Sequence, residues 1–587
     1  MRSESAALRS LPASTEVPAP PSRADRLRAL GSESFDLLVI GGGVTGAGAA
    51  RDAALRGLKV ALVEREDFAS GTSSRSSRLI HGGLRYLEHG HLGLVFESSI
   101  ERRRLLHLAP HLVRPLAFIW PVYEGARVPR WKLNAGLMLY DALSLFRNVK
   151  AYQRLSLKQL VEAEPGIRSE GLKGGARYYD AATDDARLTL ANALGASEAG
   201  AVVLNHASVK RLVLEDGKVK GAVVVDHLTG LEHTVRARAV VNATGPWSDE
   251  IRRLDSQQER TGPAVRGSKG VHIAVPRSRL NIGDALTLLS PVDGRVMFIL
   301  PADAFTLIGT TETATRAHPA EVRASEADVA YLLSSANAFF PEANLTREDM
   351  VSAWAGIRPL AASGYHGNSD AGSASREHSI DVSPSGVLAI SGGKLTTFRV
   401  MARDVVNAVE RHLSLPHKKP VTHEQPLPGG DLLKLDAELA AAKQEVGDAA
   451  TGEHLVRAYG SRWHAVWALT RESPELAEPL VEGLPYRRAE AAWGVSHEMV
   501  QTLADLLIRR LKVAFETRDQ GRAALRLRLD DDAVALDGAG HVVQLAAVRA
   551  AEVMAPRLGW DAAETERQLA AYAVDAQRIF GVDPSDA

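Results

Sequence analysis

Gly41, Gly43 and Gly46 are spaced G-x-G-x-x-G between an apolar run, Phe35–Ile40, and a helical pattern that continues to Leu55. The first glycine permits a tight turn, the second lets a pyrophosphate approach the backbone, and the third lets helix and strand pack closely. The helix start adds free N–H groups and the positive end of a dipole. Leu58–Glu64 reads as the next strand. Glu64 at its end would accept hydrogen bonds from ribose hydroxyls and repel a 2′-phosphate, which argues against NADP. Strand, helix, strand and acid in this order predict a dinucleotide site; the bland alternative is a glycine-rich turn with Glu64 as a solvated strand end.

Further polar residues follow at positions that would face such a ligand. Thr72, Ser73, Ser74 and Ser77 lie just past the second strand, where hydroxyls reach cofactor phosphates. His81-Gly82-Gly83 lets backbone come close to a planar ring. Ala243-Thr244-Gly245 turns at the carboxyl end of a strand, the end that faces the ligand crevice in open α/β sheets. Gly393-Lys394-Leu395-Thr396 opens another helix, whose positive end with Lys394 would stabilise an anion.

The run Thr72–Glu88 (TSSRSSRLIHGGLRYLE) resembles FAD-dependent, aerobic-type glycerol-3-phosphate dehydrogenase, within the D-amino-acid-oxidase-like flavoprotein fold. Four later segments agree in order: Asp184–Leu188, Val241–Trp247, Gly356–Leu360 and Gly392–Arg399. The resemblance covers roughly Phe35 to Arg399 and continues more weakly through the tail. It implies oxidation of glycerol 3-phosphate to dihydroxyacetone phosphate, with hydride passing to noncovalent FAD and a base taking the hydroxyl proton. It implies substrate contacts at Arg85, Tyr86, Arg358 and Arg376, with Tyr86 equally readable as a packing residue, and catalytic roles for Arg358, His272 and Lys394. Arginine forks suit phosphate because their paired hydrogen bonds are charge-assisted. His272 is the candidate base on the strength of an ordinary histidine pKa near 6.5. A structural histidine in the sheet is the alternative, and His81 is the rival base. At the position before His272 where the family typically has Ser, this chain has Val271.

The implied electron acceptor is membrane quinone, with molecular oxygen, giving hydrogen peroxide, as the alternative. A quinone-linked enzyme should touch a bilayer. Arg127–Arg147 carries Trp131, Leu133, Leu137, Met138, Tyr140, Leu143 and Phe146 among basic residues, which suits an interfacial segment. The same residues read equally as core or as a homodimer contact. The expectation is a cytoplasmic protein held peripherally on the inner face of the cell membrane.

The elements that must position these residues predict an α/β fold. A Rossmann-like FAD-binding domain would span 35–414, discontinuously, around an inserted antiparallel substrate sheet at roughly 266–350. Hairpins are expected at Arg211–Val225 and Leu286–Leu300. A Pro/Gly-rich linker, 415–430, would lead to a C-terminal helical domain, 431–587, in which Met499–Phe515 carries an apolar stripe of helical, 3.6-residue period. Residues 1–34 are rich in Ser, Ala, Pro and Arg, lack an apolar signal core, and read as a disordered extension. Lys+Arg number 70 against 71 Asp+Glu, a balance that argues against nucleic acid as the partner. There is no cysteine, which removes Cys-bound zinc, iron–sulfur clusters and a cysteinyl flavin link. No metal is expected.

Overall fold

The computed structural model describes residues 17–88, 90–145, 148–255, 265–361, 377–520 and 546–584. Ser34–Ile40, apolar on both faces, is the centre of an eight-stranded sheet. It pairs in parallel with Val60–Val63 on one side and Glu232–Asn242 on the other. The register sets Ile40 opposite both Val63 and Asn242. Gly41, Glu64 and Ala243, the residues after those three strand ends, therefore converge at one edge. Val44–Leu55 packs against Asp185–Glu198 and Phe398–His412, and this helical layer covers the sheet. The Arg211–Val225 hairpin forms as Ala207–Glu215 and Lys218–Asp226, and Asp216-Gly217 takes positive φ at its turn.

A second, ten-stranded sheet carries the other half of the site. Its spatial order is Thr313–Thr315, Val265–Pro276, Phe305–Gly309, Val296–Ala302, Ala285–Leu289, Val113–Tyr123, Leu172–Thr183 and Leu79–Ile80. Ser352–Ala361 pairs along the full length of Val265–Pro276. This corrects the expected insert at 266–350, because five strands from outside that range, Leu79–Ile80, Val113–Tyr123, Gln153–Leu155, Leu172–Thr183 and Ser352–Ala361, belong to the same sheet. Their sequences hide it. Val113–Tyr123 contains Pro115 and Pro121, residues that normally argue against an interior strand. The chain accommodates Pro121 with a register shift against Leu172–Thr183.

The C-terminal helices share a continuous core with this second sheet. Phe118, Tyr178 and Trp354 of the sheet belong with Trp463, Trp493 and Leu507 of the helices. The proline-rich stretch before them is packed down: Leu427 is buried, its N–H donates to Leu108 O, and Arg51 donates to the carbonyls of Gln425 and Pro426. Buried ion pairs add to this junction. Asp67 accepts from Arg509 and Arg510 at 2.7 and 2.6 Å, and Arg187 pairs with Glu498 at 2.6 Å.

Two expectations are corrected here. The Met499–Phe515 stripe does not form one helix. Asp505–Arg510 makes a wide turn in which Leu511 N–H reaches Leu506 O, and Val513–Glu516 follows separately. Asp505 caps the turn by accepting from the N–H groups of Gln501 and Thr502, while Arg509 and Arg510 both turn inward to Asp67. The second correction concerns residues 17–34, within the extension expected to be disordered. Arg23–Ser32 is a helix capped by Ser22, with Leu30 fully buried and Arg23 ion-paired to Asp226. Its arginines look like disorder-promoting composition, but Arg23 and Arg26 find partners in the sheet at Asp226 and Val203 O.

Candidate functional site

The converging strand ends form the floor of a cleft of about 310 Å³. Gly41 has φ +109°, and a Cβ there would lie 2.7 Å from Ala243 O. A Cβ at Gly46 would lie 1.9 Å from Gly41 O, so helix and turn meet only through glycine. Ser73 Oγ accepts from Val44 N–H at 3.0 Å, at the opening of the helix where a phosphate would lie. Glu64 accepts from Gly42 N–H at 2.6 Å and Glu66 N–H at 3.0 Å, and burial raises its pKa. Ala243, Thr244 and Gly245 line the opposite side. A cradle that a single Cβ would fill, with an acid at the ribose end, fits a dinucleotide such as FAD.

The far end of the cleft is built from both sheets. Gly393, with φ +84°, leads into the turn Leu395–Thr397 and the helix Phe398–His412, and Lys394, Leu395 and Thr396 line the wall. Thr396 Oγ1 brackets His81, accepting from its N–H at 3.1 Å and donating to its carbonyl at 3.2 Å. Lys394 Nζ stands 5.0 Å from the centroid of the Tyr86 ring, and Tyr86 is itself buried. Thr72 Oγ1 donates to Ile357 O at 2.7 Å, tying the serine-rich loop to the strand that carries Arg358.

Arg358 and His272 lie on adjacent strands. The Arg358 guanidinium is held by the hydroxyls of Thr310 and Ser268 and the Thr311 carbonyl. Gly270 leaves room for it, since a Cβ there would be 2.6 Å from Nη2. His272 is buried, stacks on Trp354 at 5.5 Å, and meets Ser77 Oγ through Nε2 at 3.0 Å. Burial, then the charges of Arg358 and Arg78, push its pKa down to about 3. The ordinary value near 6.5 is thereby corrected: this imidazole is neutral across the physiological range.

A second cavity of about 120 Å³ adjoins the first and shares Ser77, Leu79, His81 and Arg358 with it. Gly83, Tyr86, Asp180 and Thr310 also line it. The structure thus brings together most of the residues singled out from sequence. It moves three of them. Ser77 meets His272 rather than the phosphate end, Ser74 is buried in the Thr72–Ser74 turn, and Gly82 backs onto Tyr140. Arg376 lies outside the described residues, as do the side chain of Arg85 and the whole of Phe146 and Arg147.

Several residues that support the site carry no sequence sign of that role, although Asp185 lies in the Asp184–Leu188 segment and Tyr140 in Arg127–Arg147. Asp185 accepts from Ser76 N–H and Oγ, at 3.0 and 2.6 Å, and holds the serine loop; burial raises its pKa to about 6. Asp180, Tyr140 and Arg102 form a buried cluster behind Gly82. Asp67, His206 and Asp505 group their ligand atoms within 4.8 Å of one another, but both carboxylates are already taken by Arg509 and Arg510.

A two-sheet fold with a glycine cradle at the strand ends and Arg358 and Lys394 at the far end of the same cleft is the class of a flavoprotein oxidoreductase. Residues 36–405 match the family described as FAD dependent oxidoreductase, and 420–529 match the C-terminal domain of alpha-glycerophosphate oxidase. Glycerol-3-phosphate dehydrogenase 2 of Mycobacterium tuberculosis (strain ATCC 25618 / H37Rv) is 40% identical over 577 residues, covering 97% of this chain and 92% of that protein. Aerobic glycerol-3-phosphate dehydrogenase of Bacillus subtilis (strain 168) is 37% identical, covering 81% and 87%. The crystal structure of glycerol-3-phosphate dehydrogenase from Bacillus halodurans complexed with FAD superposes with a TM-score of 0.75 at 33% identity, covering 95% of this chain and 97% of that one. The chain belongs to the FAD-dependent glycerol-3-phosphate dehydrogenase family.

Proposed function

We propose that the chain binds FAD and oxidises sn-glycerol 3-phosphate to dihydroxyacetone phosphate, passing the electrons to membrane quinone. The observation that carries this reading is the convergence of Arg358, Lys394 and the Ser77–His272 pair on one cleft, with Ser77 and Arg358 also lining the second cavity. Bound FAD supplies the two-electron acceptor for the hydride that leaves C2. Arg358 grips the phosphate through its planar fork. The 2-hydroxyl proton goes to Nε2 of His272 through Ser77 Oγ, which lines both cavities. A dianionic substrate beside Arg358 offsets the charge that depresses His272, so the imidazole becomes a stronger base once substrate is bound. Lys394 and the start of the Phe398–His412 helix favour negative charge at the flavin end of the cleft. Buried Trp354 and Tyr86 keep water from the reacting atoms.

Contact with a membrane is supported by one helix, Arg130–Leu143. Leu133, Leu137 and Tyr140 on one face are buried, while Trp131 is 73% and Met138 58% exposed on the other. Among the described residues no helix is long and apolar enough to cross a bilayer. Arg130 and Lys132 add cations beside the exposed face, as an interfacial helix on anionic lipid requires. On this reading the protein is cytoplasmic and attaches to the inner face of the cell membrane.

The alternative reading is an oxidase of the same substrate, reducing oxygen to hydrogen peroxide; the match of 420–529 to an oxidase C-terminal domain favours it. Anaerobic mixing with glycerol 3-phosphate should bleach the flavin, and glycerol at the same concentration should not. Equal bleaching by both would remove the phosphate from the proposal.

A further inference from the structure

His81 lines both cavities and Gly83 lines the second, so the segment His81–Gly83 forms part of the wall they share, and its backbone is tied to other residues that line them. Thr396 takes both polar groups of His81, and Gly83 O accepts from Tyr86 N–H at 2.8 Å. Gly82 N–H donates to Asp180 Oδ1 at 3.1 Å. That same oxygen accepts from Tyr140 Oη at 2.7 Å and from Arg102. Arg102 also donates to Tyr140 Oη at 2.9 Å, closing the cluster. Asp180 and Arg102 are each 3% exposed and Tyr140 is fully buried. A Cβ on Gly82 would lie 2.2 Å from Tyr140 Oη, so the phenol rests directly against the peptide it supports.

A buried ion pair is weak evidence for stability, because desolvation consumes most of its attraction. Three donors focused on one carboxylate oxygen do specify a position. We propose that Asp180, held by Tyr140 and Arg102, is a positioning residue that fixes the Gly82 peptide and with it the wall on which the flavin ring and the substrate meet. It acts through Gly82 and the wall. This rests on the flavoenzyme reading given above and adds residues that carry no local motif. Burial, and then the charge of Asp180, raise the Tyr140 pKa well above its ordinary value, so the phenol remains a donor throughout the working range.

The test uses FAD-loaded protein with two substitutions, Tyr140→Phe and Asp180→Asn. Tyr140→Phe removes one donor, keeps the ring and changes no charge. It should retain stoichiometric FAD and a near-native melting temperature. Its flavin absorption bands and midpoint potential should shift in the absence of any substrate, and kcat should fall about 10-fold with KM unchanged, equivalent to about 1.4 kcal/mol at the transition state. Asp180→Asn should move the same readouts further in the same direction. A wild-type flavin spectrum, potential and kcat in Tyr140→Phe would overturn the proposal. So would a shift confined to Asp180→Asn, since that pattern is the loss of a charge and not of a position. The substrate-free spectrum and potential keep the inference separate from the proposed function: a wild-type protein that ignored glycerol 3-phosphate would refute that function and leave these two readouts intact.

Discussion

Arg358→Ala should cost catalysis without costing the fold. Its guanidinium is only half-buried, and the Ser268, Thr310 and Thr311 oxygens around it are neutral groups that tolerate its removal. The loss falls on the substrate. A hydrogen bond to a charged group contributes about 1.5–3 kcal/mol, which corresponds to a fall of roughly 10- to 150-fold in kcat/KM. Arg358→Lys keeps charge but not the fork and should recover part of the loss. Gly270→Ala offers an independent route, because its Cβ would be 2.6 Å from Nη2 and must push the guanidinium aside. It should lower kcat/KM with the arginine still present. Removing Arg358 also lifts one of the charges that depress His272, so the pKa of about 3 should rise. A base works only when deprotonated, so the acid limb of kcat/KM should move to higher pH. The assay is dye-coupled turnover on glycerol 3-phosphate and on glycerol. If Arg358 holds the phosphate, Arg358→Ala should leave the slow glycerol rate nearly unchanged. Proportional loss on both substrates would mean that it acts at the reacting oxygen, and no loss on either would remove it from the site.

Glu64→Gln should weaken FAD retention, because it removes the charge that Gly42 and Glu66 N–H groups and the ribose hydroxyls share; apoprotein yield on gel filtration reports it. Acid precipitation should release all flavin from the wild type, and colour left on the pellet would contradict noncovalent binding. Trp131→Asp with Met138→Asp should release protein from anionic liposomes while dye-coupled activity survives, whereas Leu137→Ala, on the buried face, should cost about 2–5 kcal/mol of stability. The folded-state pKa of His272 lies below its unfolded value of 6.5, so its neutral form contributes stability above pH 6.5 that is lost progressively as pH falls towards 3. Melting temperature should therefore fall less steeply over that interval in His272→Asn than in the wild type.

The legible parts of this molecule are those in which the chemistry and its signal are neighbours in sequence. Gly41–Gly46 declares its turn because the three glycines sit at fixed spacing between one strand and one helix, and Gly46 answers to Gly41 O within that unit. Lys394 has a local sign in the glycines that open its helix, whereas Arg358 has none and is singled out by the family resemblance alone. Val113–Tyr123 and Leu172–Thr183 of the second sheet are hard to read, since Pro115, Pro121 and Gly174 break the alternation by which a strand is recognised. Asp180 was invisible for a different reason. Its partners Gly82, Tyr140 and Arg102 lie 98, 40 and 78 positions away, and only the fold brings them to one oxygen. His272 was legible as a residue but not as an acid–base group, because its pKa is set by burial and by arginines on other segments.

The central claim is a phosphate-dependent flavin reduction followed by delivery to quinone, and one sequential anaerobic titration addresses all of it. Glycerol 3-phosphate should bleach the flavin absorbance to completion, a water-soluble quinone should restore it within the dead time of turnover, and air admitted in place of quinone should restore it slowly with little peroxide. Fast recovery in air with one hydrogen peroxide per flavin would make the protein an oxidase. Flavin that stays oxidised in the presence of excess glycerol 3-phosphate would contradict the account.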